Sequence, residues 1–346
     1  MATTFAVPDG RVAMAATLYT GNGSTNTISN AINAVGMQPD LLWTKARSTT
    51  AYHYLQDSVR GVNKALYSND TLAEGTITGT TTTLNTTGFA FNGAESGLNA
   101  NAATYVGWQW KAGGTAVSNT AGTITSSVSA NTTAGFSVVT YTANGIASTV
   151  GHGLGVVPSM IIVKCRSTGG GNWPVYHIST GNTGVASWLN QTSAFVASAL
   201  FWNNTSPTSS VFSIGTFNSD TNFTGGMVAY CWAPVAGYSA FGSYTGNGSA
   251  DGPFIYTGFR PRWLMIKSSS GAFNWFIEDA SRNTTNATGL DLSPNLSDAE
   301  ANNAPTFDFL SNGFKLRNTY TSQNGSGSTY IYACFAENPL RYANAR

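Results

Sequence analysis

Three sequence landmarks recur in the same order along the chain, and this repetition limits the possible folds more than any other feature. The first landmark is a Tyr-Thr-x-Asn-Gly turn that begins at Tyr19, Tyr141 and Tyr244. Asn-Gly supplies the positive backbone φ angles of a tight turn, so each copy predicts a hairpin that ends a strand at its tyrosine. A period of about one hundred residues predicts three tandem copies of one module.

The second landmark is Gly-x-x-Pro followed by an apolar run and a lysine. Its prolines and lysines are Pro39 and Lys45, Pro158 and Lys164, and Pro261 and Lys267. Proline can open a strand where no ladder hydrogen bond is lost, and an apolar run without alternation is typical of a strand that is covered on both faces. The landmark therefore predicts a central, buried strand in each module.

The third landmark is a closing strand at residues 105–110, 227–232 and 330–335. In register, Cys231 and Cys334 occupy one packing position seen twice, and Cys165 also lies in an apolar run. Three cysteines at such positions are an odd and sparse set. We interpret them as buried free thiols rather than as disulfides or metal ligands.

Short strands separated by turn residues, without useful helical periodicity, predict an all-β fold of three tandem β-sandwich or jelly-roll repeats. We expect repeats at residues 10–112, 134–238 and 239–346, preceded by an N-terminal segment at 1–9. The Thr/Ser/Gly-rich residues 113–133 form either a flexible linker or an extended arm. A β-helix is disfavoured because no period of about 20 residues appears. Residues 29–35 are either a short helix or an irregular loop.

Composition narrows the classes of function. Charged residues make up 9%, and 16 Lys+Arg nearly balance 15 Asp+Glu, so there is no electrostatic footprint for nucleic acid or an anionic membrane. The most apolar stretch, residues 227–241, is broken by Pro234 and Gly237 and is too short to span a bilayer. The first ten residues lack the pattern of a secretory signal. We expect synthesis in the cytoplasm, no nucleic-acid partner and no membrane insertion.

An enzyme would need a nucleophile with a base, or two carboxylates that flank one bond. His53, His152 and His177 have no evident acidic partner in the sequence. Glu278 and Asp279 are neighbours on a predicted strand, so they should point to opposite faces. We therefore expect a non-enzymatic chain with no cofactor and no metal.

Two lysine–aspartate pairs have the same spacing. Lys45 with Asp57 and Lys267 with Asp279 are each twelve residues apart, which suits a cross-strand ion pair with a structural role. Each of these aspartates begins an Asp-x-x-Arg motif, whereas the second module has His and Thr at those positions; the residues concerned are Asp57 and Arg60, Asp279 and Arg282, and His177 and Thr180.

The aromatic residues divide into two groups. Tryptophans at recurring strand positions, such as Trp43 and Trp263, are assigned to cores. Trp188, Phe201 and Trp202 lie in the segment where the modules differ most. Because copies of a module diverge at surface loops that carry binding functions, we predict a ligand or partner contact at these three residues.

Several longer phrases resemble a repeated module of virion proteins from tailed phages. They are WQWKAGGT at residues 108–115, VGHGLGVVPSMIIVK at 150–164, GSYTGNGSADGPFIYTGFRP at 242–261 and FLSNGFKLRN at 309–318. Proteins with this module are described as tail-fibre-like or lectin-like (concanavalin-like) structural proteins. The resemblance implies a phage virion structural protein, a tail or fibre component, with host-surface binding as a further role.

Two alternatives stay open, a capsid decoration protein on the head surface and a glycan-binding, lectin-like module. The resemblance implies other virion proteins and a host surface glycan as partners, and the virion as the location. Low charge and many aromatics favour hiding surface against copies of the same chain, so we expect a homo-oligomer. The resemblance favours a trimer, with contacts through residues 188–204 or 113–133.

Overall fold

A computed structural model describes residues 5–180, 185–217, 220–303 and 305–336. Strands account for 44% of the described residues and helices for 4%, so the predicted all-β class is confirmed. Residues 1–4 of the expected N-terminal segment and 337–346 of the expected third repeat lie outside the described residues. No helix in the described part of the chain is long and apolar enough to cross a membrane.

We use the names module 1, module 2 and module 3 for residues 10–112, 134–238 and 239–346. Module 1 begins with a 3-10 turn at Gly10–Val12, followed by the strands β1 Met14–Thr20, β2 Thr25–Ser29, β3 Leu41–Ala46, β4 Tyr54–Asp57, β5 Lys64–Tyr67, β6 Gly75–Thr76, β7 Thr80–Asn85, β8 Gly88–Gly93 and β9 Thr104–Trp110. The connecting segment contains β10 Val117–Asn119 and β11 Ser126–Asn131.

Module 2 contains β12 Phe136–Ala143, β13 Ser148–Gly151, β14 Met160–Cys165, β15 Pro174–His177, a 3-10 turn at Ile178–Thr180, β16 Val185–Trp188, β17 Val196–Ala197, α1 Ala199–Trp202, β18 Val211–Ile214 and β19 Gly225–Trp232. Module 3 contains β20 Ser239–Thr245, β21 Phe254–Tyr256, β22 Pro261–Ser268, β23 Phe276–Asp279, β24 Leu290–Asp291, β25 Ala301–Asn302, β26 Phe307–Leu310, β27 Gly313–Leu316, α2 Thr321–Asn324 and β28 Thr329–Ala336.

The main sheets of the three modules have the same strand order. Each runs from the opening strand to the closing strand, the Gly-x-x-Pro strand and the aromatic strand, all antiparallel: β1-β9-β3-β4, β12-β19-β14-β15 and β20-β28-β22-β23. In each module the Gly-x-x-Pro strand pairs directly with the closing strand. A smaller sheet, β2-β8-β7, β13-β18 or β21-β27-β26, belongs to each module.

The central strands are buried because each main sheet is covered on both faces. All six residues of β3 and of β14 are buried. One face packs within the module, where Leu42 lies in a core with Phe89 and Phe91 of the small sheet. The other face, which includes Leu41 and Trp43, joins a core shared by all three modules. This arrangement explains why the strand is apolar at successive positions.

Large aromatic side chains at the ends of the closing strands fill the shared core. Trp110, Trp232 and Phe335 are equivalent in register, and the Trp110 ring lies 6.0 Å from Trp232 and 5.7 Å from Phe335. Trp263 of module 3 completes the cluster at 5.4 Å from Trp110. Most of these contacts are edge-to-face, an arrangement that aromatic pairs prefer.

The hairpin predicted at each Tyr-Thr-x-Asn-Gly turn is wrong. Gly23, Gly145 and Gly248 do have positive φ angles of 67°, 77° and 67°. However, β1 pairs with β9 whereas β2 pairs with β8, so the turn carries the chain from the main sheet to the small sheet. Asn-Gly allows the reversal, but the buried faces of the sandwich decide which strands pair.

A buried asparagine from a distant segment holds each of these turns. Asn324 accepts a hydrogen bond from Asn247 N at 3.0 Å and donates to the carbonyl oxygens of Ser249 and Asn318 at 2.8 and 2.6 Å. Tyr244 OH donates to the carbonyl of Gln323 at 2.8 Å. The equivalent asparagines in modules 1 and 2 are Asn99 and Asn222.

The backbone also shows how two further segments fold. Within residues 113–133, β10 pairs with β11 and β11 pairs with β12, which widens the main sheet of module 2. Residues 29–35 form no helix. Asn33 and Ala34 have φ angles of 52° and 63° in a tight reversal between Ile32 and Val35.

We expect Asn324→Ala to lower the free energy of unfolding by about 2–3 kcal/mol, because buried backbone groups of the turn lose their partners. Urea denaturation followed by tryptophan fluorescence measures the change. Asn101→Ala is the matched control, since Asn101 is exposed, and should change stability by less than about 0.5 kcal/mol. Equal effects of the two variants would contradict the assigned role of Asn324.

Candidate functional site at the module junctions

The three modules contact one another in cyclic order through the segment that follows the aromatic strand. Equivalent backbone hydrogen bonds mark the three junctions: Glu74 N to Arg166 O at 2.9 Å, Phe195 N to Ser269 O at 3.1 Å, and Glu300 N to Arg47 O at 2.8 Å. Module 1 therefore contacts module 2, module 2 contacts module 3, and module 3 contacts module 1. The chain forms a closed ring of contacts.

The aromatic strand of one module reaches into the preceding module at each junction. Trp173 Nε1 donates to the carbonyl of Tyr67 at 2.9 Å, and Trp275 Nε1 donates to the carbonyl of Trp188 at 3.0 Å. His53 takes the equivalent position beside the backbone of Ser293. Burial lowers the pKa of His53 well below its usual value, so this imidazole is neutral and serves packing.

A glutamate bridges two arginines at the junction of modules 1 and 2. Glu74 lies 3.0 Å from Arg60 of its own module and 2.8 Å from Arg166 of module 2. Arg60 also pairs with Asp57 through the Asp-x-x-Arg turn. Burial favours the neutral acid, but the hydrogen bond from Arg166 and the charge of Arg60 hold the pKa of Glu74 below its usual value.

The junction of modules 3 and 1 repeats this arrangement. Glu300 lies 3.1 Å from Arg282 of module 3 and 2.8 Å from Arg47 of module 1. Arg282 pairs with Asp279 at 2.6 Å. Burial opposes ionisation of Asp279, yet Arg282 holds the pKa of that carboxyl below its usual value. The Asp-x-x-Arg motif is thus part of a junction between modules.

The junction of modules 2 and 3 lacks all three members of the ionic bridge. Thr180, Phe195 and Ser269 stand where the other junctions have Arg, Glu and Arg, as the equivalent backbone contacts show. Phe195 instead packs 6.3 Å from the ring of Trp275. The three charged positions are therefore present together or absent together.

The closing strand of the neighbouring module supplies a further contact to each Asp-x-x-Arg turn. Tyr230 OH donates to Asp57 Oδ2 at 2.8 Å, and Trp108 Nε1 donates to Asp279 Oδ2 at 2.9 Å. In module 2, His177 Nε2 lies 3.1 Å from the carbonyl of Tyr332. Burial lowers the pKa of His177 to about 4, which leaves it neutral at physiological pH.

The two lysine–aspartate ion pairs predicted from their spacing are wrong. Leu41, not Lys45, lies opposite Asp57, so lysine and aspartate occupy opposite ends of the hairpin. Lys45 Nζ donates instead to the carbonyls of Ala46 and Ser297, at 2.8 and 3.2 Å.

Lys267 occupies the equivalent position in module 3 and is buried in the same way. Its Nζ donates to the carbonyls of Ser268 and Gly271. Burial lowers the pKa of Lys267 to about 8, as it does for Lys45 and Lys164.

Glu278 and Asp279 point to opposite sides of β23, as expected from strand geometry. Glu278 faces the core of module 3, where it accepts a hydrogen bond from Thr306 Oγ1 and lies next to Asp291. Glu278 Oε2 and Asp291 Oδ1 have no donor among the described residues. Burial, and then the charge of Asp291, raise the pKa of Glu278 well above its usual value. The buried carboxyl of Glu278 therefore favours its protonated form in the folded chain.

The residues predicted to contact a ligand or partner fold inward. Phe201 is 3% exposed and Trp202 is 1% exposed, both in the core of module 2. Trp188 is half-buried, and its Nε1 donates to Asp220 Oδ2 at 2.5 Å. The rings of Phe201 and Trp202 offer no surface for stacking, and the contact predicted at these three residues remains untested.

A pocket lies between module 1 and the connecting segment that contains β10 and β11. It has a volume of about 890 Å³, and its polar lining includes Asp40, Lys111 and Asn131. Asp40 is already engaged by Ser58 Oγ and by the backbone N–H of Ala112. Within the described residues, no group of three His, Cys, Asp or Glu side chains could hold a metal ion.

Sequence reasoning missed the glutamates and the second arginines of the junctions. Glu74 and Arg166 are far apart in the chain and belong to different modules, so no local motif joins them. The available signal was the simultaneous loss of the arginine from the Asp-x-x-Arg motif and of a glutamate in the following segment of module 2.

Comparison with known proteins places most of the chain in one family model. A domain of unknown function (DUF7483) matches residues 12–339. Searches of curated proteins and of solved structures gave no match.

We expect Glu74→Gln and Glu300→Gln each to lower the free energy of unfolding by about 1–2 kcal/mol, because each variant weakens three charge-assisted hydrogen bonds from two arginines. Urea denaturation of the full chain measures both. The control is Asp251→Asn at the Lys315 ion pair, whose Asp251 side chain is 83% exposed, and it should lose much less stability than either junction variant. If the junction variants lose no more stability than this control, the bridging role of the two glutamates is contradicted.

We expect Glu278→Gln to gain stability relative to the wild type as pH rises from about 5 to 7.5. The folded chain keeps a proton on Glu278 that the unfolded chain releases above its ordinary pKa, so wild-type stability falls with rising pH until the raised folded pKa is passed. The glutamine amide of the variant does not titrate in this pH range, and its N–H group can donate a hydrogen bond to Asp291. The window lies below the pKa of about 8 of the buried lysines. Parallel stability curves for the two proteins would contradict the raised pKa of Glu278.

Proposed function

We propose that this chain, which belongs to the DUF7483 family by a match over residues 12–339, is a non-enzymatic structural protein of a tailed-phage virion. We place it in the tail or a fibre, with host-surface binding as a further role. Two observations support this proposal. Several phrases of the sequence resemble phage virion proteins, and the acidic and basic side chains at the junctions hold the modules together.

One observation carries the structural role: several buried ionisable side chains are used in contacts between the modules of the ring. Asp57 and Asp279 bind arginines and aromatic donors at the junctions. His53 and His177 are buried beside neighbouring modules and are neutral. A catalytic pair needs a base that can reach a substrate, and these groups face packed protein instead.

The virion location rests on the resemblance of the repeated phrases to tailed-phage virion proteins. A closed ring suits a particle component, because three modules linked in one chain cannot dissociate by dilution. A capsid decoration protein is the alternative within the same class, since a ring of three modules also suits a threefold position on a head. A lectin-like, glycan-binding module is the alternative outside it.

The expected homo-oligomer remains a proposal, and fewer observations support it now than in the sequence analysis. The sequence argument required a partner copy to cover aromatic surface. Much of that surface is covered within one chain, since Trp110, Trp232 and Trp263 are buried in the shared core. Self-association as a trimer, together with contacts to other virion proteins, now rests on the phage resemblance alone.

We expect the chain in stoichiometric amounts in gradient-purified phage particles, and cryo-EM of those particles should show its ring density at the tail or fibre. Quantitative mass spectrometry against the major capsid protein gives the copy number. Density on the head would select the decoration alternative. Absence from purified particles, with the chain abundant in the lysate, would contradict the virion proposal.

A further inference from the structure

The position before the aromatic strand differs between module 1 and the other two modules. In modules 2 and 3 this position is Asn172 or Asn274. Asn190 Nδ2 donates to Asn172 Oδ1 at 2.9 Å, and Asn295 Nδ2 donates to Asn274 Oδ1 at 2.7 Å. Two hydrogen-bonded asparagine side chains therefore occupy this position in modules 2 and 3.

In module 1 the amide pair is replaced by an exposed aromatic ring. Asn69 holds the backbone of His53, as Asn190 and Asn295 hold their tryptophans, through a bond of 2.9 Å to its Oδ1. Tyr52 stands where the partner asparagine would be, so Asn69 Nδ2 has no acceptor among the described residues. The Tyr52 side chain is 39% exposed.

Tyr52 is part of a built cluster rather than a lone surface residue. Its ring lies 4.9 Å from Tyr67, which in turn packs edge-to-face on Tyr54 at 4.9 Å. Tyr54 OH donates to Glu95 Oε1 at 2.8 Å, which fixes a half-buried carboxylate at the edge of the rings. Gly97 permits this packing, since a Cβ there would come within 2.0 Å of the Tyr54 ring.

From this juxtaposition we infer that module 1 carries a binding site for a neutral saccharide, formed by Tyr52, Tyr67, Asn69 and Glu95. The exposed tyrosine ring offers an apolar face to the C–H face of a pyranose. The carboxylate of Glu95 accepts hydrogen bonds from sugar hydroxyls, and the free amide hydrogens of Asn69 donate to their oxygens. A few polar groups beside an aromatic surface provide the orientation that small-ligand sites require.

The local charge excludes anionic ligands. Burial, and then the charges of the acidic side chains Glu95 and Asp70, raise the pKa of the Tyr67 phenol. The phenol is therefore a neutral donor at physiological pH. Phosphorylated sugars, acidic sugars and nucleotides would be repelled here. This inference deepens the host-surface binding proposed above, on which it rests, by naming the residues and the class of ligand; the virion location is tested separately on purified particles.

The test uses the full chain with maltose, lactose and N,N′-diacetylchitobiose as probes, measured by saturation-transfer NMR and isothermal titration calorimetry. Tyr52→Ala removes the exposed ring, Tyr52→Phe keeps it, and Glu95→Gln removes the charge but keeps an acceptor for Tyr54. Tyr256→Ala is the matched control, because Tyr256 is a 67% exposed tyrosine on module 3. Circular dichroism and urea denaturation establish that each variant is folded.

We expect at least one disaccharide to bind with a Kd of about 1 mM or tighter. Tyr52→Ala should weaken this binding about tenfold, Glu95→Gln about threefold, and Tyr52→Phe less than about twofold. Tyr256→Ala should bind like the wild type. The inference is overturned if none of the three sugars binds at about 20 mM, if folded Tyr52→Ala binds unchanged, or if Tyr256→Ala loses as much affinity.

Discussion

Burial of both faces of each main sheet is the constraint on which the rest of the structure depends. The small sheet of a module covers one face, but the face that carries Leu41, Met160 or Met265 has no partner within its own module. Exposure of that face would cost about 25 cal/mol for each Å² of apolar area. Because each of the three sheets has such a face, the closed ring covers all of them at once around Trp110, Trp232 and Phe335.

The shared core leaves the chemistry of the junctions free to vary. Two junctions place a glutamate between arginines, and the third has Phe195 on Trp275. A partial replacement would leave a buried arginine such as Arg60 without one of its carboxylates, which is costlier than either complete arrangement. This asymmetry accounts for the joint presence or joint absence of the three charged positions.

The sequence was informative where structure depends on local pattern. The apolar run after Pro39 predicted the central strand because a strand that is buried on both faces needs apolar side chains at consecutive positions. The turn at Tyr19 misled, because Asn-Gly specifies backbone φ but not which sheet the next strand joins. The spacing from Lys45 to Asp57 could not reveal register, and Phe201 lies in a divergent segment that nevertheless folds into a core.

The junctions with Glu74 and Glu300 both belong to module 1, which gives the ring a consequence in ionic strength. Arg166 and Arg47 are partly solvent-accessible in these bridges, so mobile ions screen their attraction to the glutamates. The contact between Phe195 and Trp275 is apolar and lacks this sensitivity. Concentrated salt is therefore expected to weaken the ionic contacts on both sides of module 1 at once, while the apolar contact between modules 2 and 3 is unaffected. The same ring would therefore respond to ionic strength at the two junctions of module 1 and not at the junction of modules 2 and 3.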